Sequence, residues 1–342
     1  MIAAHHATRR AAPTLEAVAA AAGVSRSTVS RVVNGSTQVR PGVVDAVNAA
    51  IEKLDYVPNR AARSLASRHT MAIALIVPEE AARFFGDPFF AAIVQGITRA
   101  LESSDYVLNL QLASRTSPSV KTKKYLLGGN VDGAIVVSHH SDTEFFSELD
   151  ATIPVVFGGR PFHPEQHSNY FVDVDNAAGA AQATRHLIDR GRRRIATIAG
   201  PADMQAPIDR TTGWQDTLGG AGIATDLIAH GDFTLASGAS AMRELLDRDP
   251  RLDGVFVASD MMAIGALSVL RERGIAVPGQ VSVVGFDDSP AATSTDVKLT
   301  TVHQPSTEMG MRMAQNLLAL LRGDPVERES ILPTSLVVRD SA

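Results

Sequence analysis

Apolar positions near the start of the chain recur every three to four residues. Leu15, Val18, Ala19 and Ala22 follow the i, i+3, i+4, i+7 pattern of a helix, and Thr14 before them suits an N-cap. Gly23 stops this helix where a left-handed turn is easy. A second helix, capped by Ser25, is expected over 25–34. At 100° per residue Val29, Val32 and Val33 share one face, and Arg26, Ser27, Ser30, Arg31 and Asn34 form a separate polar face. A third helix is expected over 41–54, with Pro41 at its first position and Val43, Val44, Val47, Ala50, Ile51 and Leu54 turned inward. Two short helices joined at Gly23, with arginines on the second, make a helix-turn-helix. An ordinary three-helix bundle with one solvated face would show the same pattern.

From Met71 onward the period changes. Short apolar runs at 73–77, 134–137, 155–157, 195–199, 255–257 and 281–284 alternate with helical stretches at 91–102, 177–190, 237–248 and 261–273. Such alternation specifies a parallel α/β sheet, and the length of this part allows two of them. Ligands of open α/β sheets sit beyond the carboxyl ends of the strands. The residues found there are Asp87-Pro88-Phe89-Phe90, Gly158-Gly159-Arg160, Asp209-Arg210 with Trp214, Ala258-Ser259-Asp260, Gly285-Phe286-Asp287-Asp288 and Leu299 to Gln304. Carboxylates, arginines and amides beside aromatic faces suit a polyhydroxylated ligand, with paired hydrogen bonds to vicinal hydroxyls and a ring against the sugar's C–H face. Asp260 reads as the N-cap of the helix that follows it. Phe84, Phe85 and Trp214 fit core or rim equally.

Charge separates the same two regions. Residues 1–68 carry nine basic and four acidic side chains, leaving +5, and the remainder carries −10 of the overall −5. A basic head on an acidic body is expected where only one end meets a polyanion. Arginine suits that task, because its planar fork matches the O6 and N7 acceptors of guanine in the major groove. The absence of cysteine excludes disulfides, thiolate metal sites and a thiol nucleophile, and fits a reducing compartment. No apolar run reaches 18 residues and residues 1–10 lack a signal-peptide core, so neither secretion nor membrane spanning is expected.

Longer motifs then narrow the reading. Thr14-Leu15-Glu16-Ala17-Val18-Ala19, the run from Ala22-Gly23-Val24-Ser25-Arg26 to Val33-Asn34, and Asp55-Tyr56-Val57-Pro58-Asn59-Arg60-Ala61-Ala62-Arg63-Ser64-Leu65 resemble the LacI/GalR family of transcription regulators. The likeness extends over essentially the whole chain from Thr14. It implies a small all-α helix-turn-helix head with a hinge helix, followed by an α/β two-subdomain, periplasmic-binding-protein-like core with parallel sheets. The expected divisions are 13–58 for the head, 59–69 for the hinge and 70–342 for the core. Within the core, one subdomain takes about 70–172 and 306–332, and the other about 173–302 and 333–342.

The resemblance also distributes roles. Arg26, Ser27 and Arg31 read bases, with the two arginines carrying most of the readout because position 27 is a small Ser. Thr14, Ser25, Thr28, Ser30, Asn34 and Asn59 hold the DNA backbone. A hinge helix of about eight residues over 59–66 is too short to be stable alone and carries Arg60 and Arg63, so it is expected to form only on DNA. Its Leu65, beside Ala62, would enter the minor groove as a wedge. In the core, the resemblance carries ligand contacts to Asp87, Phe90, Arg160, Arg210, Phe233, Ser259, Asp287 and Gln304. Two departures stand out: Gly159 where the family often has an acid, and Ser259 where Asn is common. A longer loop over 78–87 is expected to bring Phe84 and Phe85 towards the cleft.

The implied protein is a homodimeric repressor of carbohydrate-utilisation genes in the bacterial cytoplasm, associated with the nucleoid. Its expected partners are a palindromic operator and a small sugar effector, with neither cofactor nor metal. Solute-binding proteins share the core fold but have no use for residues 13–66. A sugar-acting enzyme would need opposed carboxylates, which the adjacent Asp287 and Asp288 supply poorly. No nucleophile elbow, P-loop or dinucleotide fingerprint is present, and His139, His140, His163 and His167 lack metal-site spacing.

Overall fold

The computed structural model describes residues 13–33, 38–56, 69–113, 119–141, 144–162 and 170–342. Asn34, the hinge residues Asn59, Ala62 and Leu65, and His163 and His167 lie outside the described residues. The chain divides into two units, 1–70 and 71–342.

Within the first unit, α1 (Leu15–Ala22), α2 (Arg26–Val33) and α3 (Pro41–Leu54) enclose Val18, Ala19, Val29, Val47, Ala50 and Tyr56. Thr14 caps α1 by accepting from the Ala17 amide, and Gly23 follows at φ 65, a left-handed turn that glycine adopts without strain. The α3 boundaries agree with the apolar period. Val43, Ile51 and Leu54 are only half-buried against this core, and Val44 is half-buried too.

The second unit holds two six-stranded sheets. In chain order the first contains β1 (Ala72–Val77), β2 (Val107–Leu112), β3 (Gly133–Val137), β4 (Val155–Gly158) and β5 (Phe171–Val174). The second contains β6 (Ile195–Ala199), β7 (Ile228–His230), β8 (Gly254–Val257), β9 (Ser282–Asp287) and β10 (Thr300–His303). The chain then returns to the first sheet with β11 (Glu329–Leu332) and ends in the second with β12 (Ser335–Val337). The strand orders are β11-β5-β4-β3-β1-β2 and β12-β10-β9-β8-β6-β7, and every pairing is parallel except β10 with β12.

Three short segments therefore connect the lobes: one at Asp175, one at Gln304–Pro305 and one at residues 333–334. The first crossing lies beyond the expected 172, because β5 pairs with β11 along its whole length and belongs entirely to the first sheet. The central strands read as unbroken apolar runs because both faces are covered, as in β1 and β3 where every residue is buried. Trp214 is wholly buried in the core.

Two expectations need correction. The stretch over 78–87 is not an open loop: Ala81–Gly86 form a short helix, α4, whose Phe84 packs on Phe90 at 5.2 Å while Phe85 stays 76% exposed. Asp260 is not an N-cap. It is the first residue of the helix Asp260–Glu272, and the Ser259 hydroxyl caps that helix by accepting from the Met262 amide.

Candidate functional site

Two surfaces concentrate the chemistry. On the head, the Ser25 hydroxyl accepts from the Thr28 amide at 3.2 Å and lies 2.8 Å from the hydroxyls of both Ser27 and Thr28. This hydroxyl cluster opens α2. Val29 beneath is fully buried, so the helix cannot roll, and Arg26, Ser27 and Arg31 are held on the exposed side. Arg26 keeps 72% of its side chain in solvent and meets Glu16 at 3.1 Å. A rigid helix with exposed guanidinium forks and a hydroxyl-lined N-terminus is chemically suited to base edges and phosphates.

The second surface is a cavity between the lobes of the body, at the carboxyl ends of both sheets. Six of the eight core positions carried by the resemblance line it: Asp87, Arg210, Phe233, Ser259, Asp287 and Gln304. Arg210, on the helix Gln205–Gly220, is its centre. Its Nε donates to Asn176 Oδ1 at 2.8 Å and its Nη1 to the Ala258 carbonyl at 2.6 Å. The guanidinium lies 3.6 Å from the centre of the Phe286 ring and 3.8 Å from Asp287. Gln304, on the second crossing, donates to Asp287 Oδ1 at 2.8 Å and points its own oxygen at Arg210.

Burial governs the charges here. It pushes the carboxyls of Asp87, Asp173 and Asp287 upward, and Asp287 feels Asp260 and Asp87 as well, with Arg210 opposing. Asp260 is pushed up to about 7, again by burial, although the Thr301 hydroxyl and the Ser289 amide bond it. Arg210 is moved downward by the same loss of water, against the pull of Asp287 and Asp173. Burial that disfavours the charged carboxylates suits them to neutral hydroxyl partners.

Two expected contacts fall elsewhere. Phe90 is 1% exposed in the core, and its neighbour Phe89 faces the cavity. Arg160 crosses between the lobes instead, with Nη2 at 2.8 Å from both oxygens of Asp209 and its backbone amide on Asp173. The preceding Gly159 stands at φ 95, left-handed backbone that glycine adopts without strain. A second inter-lobe clasp joins His140 Nδ1 to Asp203 at 2.9 Å, with His140 Nε2 3.2 Å from Glu79.

Sequence reasoning missed Arg83, Asp173, Met204, Pro207 and Met309 in the lining, and it named the segment that holds Phe89 but carried the contact to Phe90. An acid inside an apolar strand was a signal for Asp173. Nothing local marked Arg83 or Met309.

Comparison with known proteins decides the family. Residues 14–59 match the bacterial regulatory proteins of the lacI family, and residues 184–342 match the periplasmic binding protein-like domain. The HTH-type transcriptional regulator CelR of Thermobifida fusca is 47% identical over 337 residues, 97% of this chain and 99% of that protein. The chain belongs to the lacI family. It is accordingly a DNA-binding transcriptional regulator and not an enzyme.

Solved structures agree across the family. A CelR–cellobiose complex matches with a TM-score of 0.76 at 44% identity, covering 96% of this chain and 100% of that one. The lac repressor dimer bound to operator and the anti-inducer ONPF matches with a TM-score of 0.83 at 28% identity, covering 96% and 98%. No helix among the described residues is long and apolar enough to cross a membrane.

Proposed function

We propose that this regulator is a homodimeric repressor of carbohydrate-utilisation genes, working on the chromosome in the bacterial cytoplasm and released from its operator by a neutral gluco-oligosaccharide such as cellobiose. The observation that carries the reading is the cavity: Asp87, Arg210, Asp287 and Gln304 set around Phe89 and Phe233. Carboxyl and amide groups match vicinal hydroxyls and aromatic faces match sugar C–H surfaces, while the acidic surroundings disfavour phosphorylated sugars. The CelR–cellobiose complex supports the choice of sugar.

On the head, Arg26, Ser27 and Arg31 read base edges in the major groove, and Thr14, Ser25, Thr28 and Ser30 hold phosphates together with Asn34 and Asn59. Leu65, flanked by Ala62, enters the minor groove and kinks it, at a cost of about a few kcal/mol that wider contact offsets. The effector works because the cavity lies beside the crossings. Gln304 sits on one and Asp173 two residues before another, so a ligand that bonds both changes the angle between the lobes. Coupling of about 1–3 kcal/mol is sufficient to change operator affinity roughly 5–150-fold.

The test is a thermal-shift screen of mono- and oligosaccharides, followed by operator gel shifts with each sugar that stabilises the chain. Stabilisation by cellobiose and release of the operator at the same concentration are expected. Stabilisation by no carbohydrate overturns the reading.

A further inference from the structure

We infer that His140 is a proton-operated latch between the two lobes of the body, closed while its ring carries both protons and released when one is lost. For a regulator whose effector binds between those lobes this is a second input, whichever effector the cleft takes.

The latch sits where the carboxyl ends of the two sheets face each other. Glu79 follows β1 and His140 follows β3, both in the first lobe, and Asp203 follows β6 in the second. His140 is buried, with Nε2 3.2 Å from Glu79 and Nδ1 2.9 Å from Asp203. The next residue repeats the crossing through the backbone, where the Ser141 amide donates to the Asp203 carbonyl at 2.9 Å. Ser138 and Met204, neighbours of the two ends of this contact, line the cavity, so the latch stands at the cavity wall.

Proton counting sets what the ring can do. Ionised carboxylates only accept, so bonding one at each nitrogen takes two N–H donors, and only the imidazolium has both. The neutral ring has one donor and turns a lone pair towards the other carboxylate. The two partners are unequal. The Glu79 side chain is 2% exposed and is also held by the Ser138 hydroxyl at 2.8 Å and by Arg83. Burial pushes its carboxyl up, but the His140 bond and the Arg83 charge outweigh that and hold it below the ordinary range. Asp203 keeps 48% of its side chain in solvent, where water replaces a lost donor. The remaining proton therefore stays on Nε2 against Glu79, and Nδ1 lets go of Asp203, the partner on the opposite lobe. Behind Glu79 stand Arg83, which bonds it, and Asp87, which feels its charge; the neighbouring His139 has its Nε2 3.2 Å from the Gly159 carbonyl. Histidine is the side chain that ordinarily changes charge between about pH 5 and 8, so the latch is closed in mildly acid solution and opens as pH rises.

The chain has no cysteine, so Glu148→Cys on the helix Glu144–Asp150 and Gln215→Cys on the helix Gln205–Gly220 place one dye on each lobe. Single-molecule energy transfer, with the labelled full chain diluted into excess unlabelled chain, then counts compact and spread forms from about pH 5.5 to about pH 8. The compact-to-spread ratio of the otherwise wild-type chain is expected to fall about tenfold over that range, the effect of one proton held about one pH unit more tightly in the compact form. Asp203→Asn should hold the ratio within about twofold throughout, because an amide accepts from the imidazolium and donates to the neutral ring. His140→Gln should be equally flat. Arg160→Ala opens the other clasp and should lower the ratio by the same factor at every pH. A wild-type ratio that changes by less than about twofold overturns the inference. So does an Asp203→Asn chain that keeps the wild-type pH profile, since the titrating group would then lie elsewhere and His140 would only fill space. Loss of the pH dependence in Arg160→Ala overturns it too.

Discussion

On the head, Arg26 keeps 72% of its side chain in water, and Arg31 is exposed beside it; in the body, Arg210 is 7% exposed and bonded on every side. The two settings suit two ligands. A DNA duplex brings its own dense charge and fixed acceptor pattern, so long, solvated guanidinium groups on a rigid helix can reach it and lose little beforehand. A small neutral sugar brings no such field. Its affinity depends on groups already held in place and already stripped of water, which is why Arg210 is locked by Asn176, Ala258 and Gln304 before any ligand arrives. Exposure serves the first surface and preorganisation the second.

That contrast can be broken at four points, taken in order of expected effect. Removing both exposed arginines, Arg26→Ala with Arg31→Ala, should cost about 2–6 kcal/mol of specific operator affinity and leave the melting temperature nearly unchanged. Fluorescence anisotropy on an operator selected from random DNA measures the first, calorimetry the second, and a large loss of stability would show that the head is not built as described. Asp287→Ala should weaken the effector by about 1.5–3 kcal/mol, because Gln304 and Arg210 lose a shared acceptor. The sugar should then fail to release an operator that is still bound, and a preserved response would move the pocket elsewhere.

The third point is pH. Asp260 and Asp287 hold protons more tightly folded than unfolded, so their contribution to stability is greatest at low pH and is lost as pH rises, for Asp260 through about 7. The melting temperature of wild type should therefore fall between pH 5.5 and 8 by about 2–4 °C more than that of Asp287→Asn. Identical pH profiles would refute the protonated pair. Smallest is Arg160→Ala, which opens the half-exposed clasp to Asp209. A change of only about 0.2–1 kcal/mol in effector affinity is expected, and one several-fold larger would make Arg160 a direct contact after all.

Much of the molecule was legible before any coordinates. The helix at Pro41–Leu54 and the strand at Ile195–Ala199 have the boundaries that periodicity and Pro41 indicate. The edge strand Val107–Leu112 escaped notice, because half-buried edge residues such as Asn109 and Gln111 interrupt its apolar run. Phe89 and Phe90 illustrate another limit. Adjacent residues on a helix differ by 100°, and which ring meets the cavity depends on how that helix rolls against its neighbours. Ser259 and Asp260 changed places for a similar reason, since one residue of helix register decides which side chain caps and which is buried.

Local pattern settled the elements, the polar face of the second helix and the chemistry gathered behind the strands, because each depends on neighbours within a turn or a strand. Packing alone settled the partners. The groups that bind Arg210 come from positions 176, 258 and 304, and the clasps Arg160–Asp209 and His140–Asp203 join residues on different lobes. Such pairs exist only after the chain has crossed between its two sheets three times, and no periodicity in one dimension encodes which ends of those sheets come to face each other.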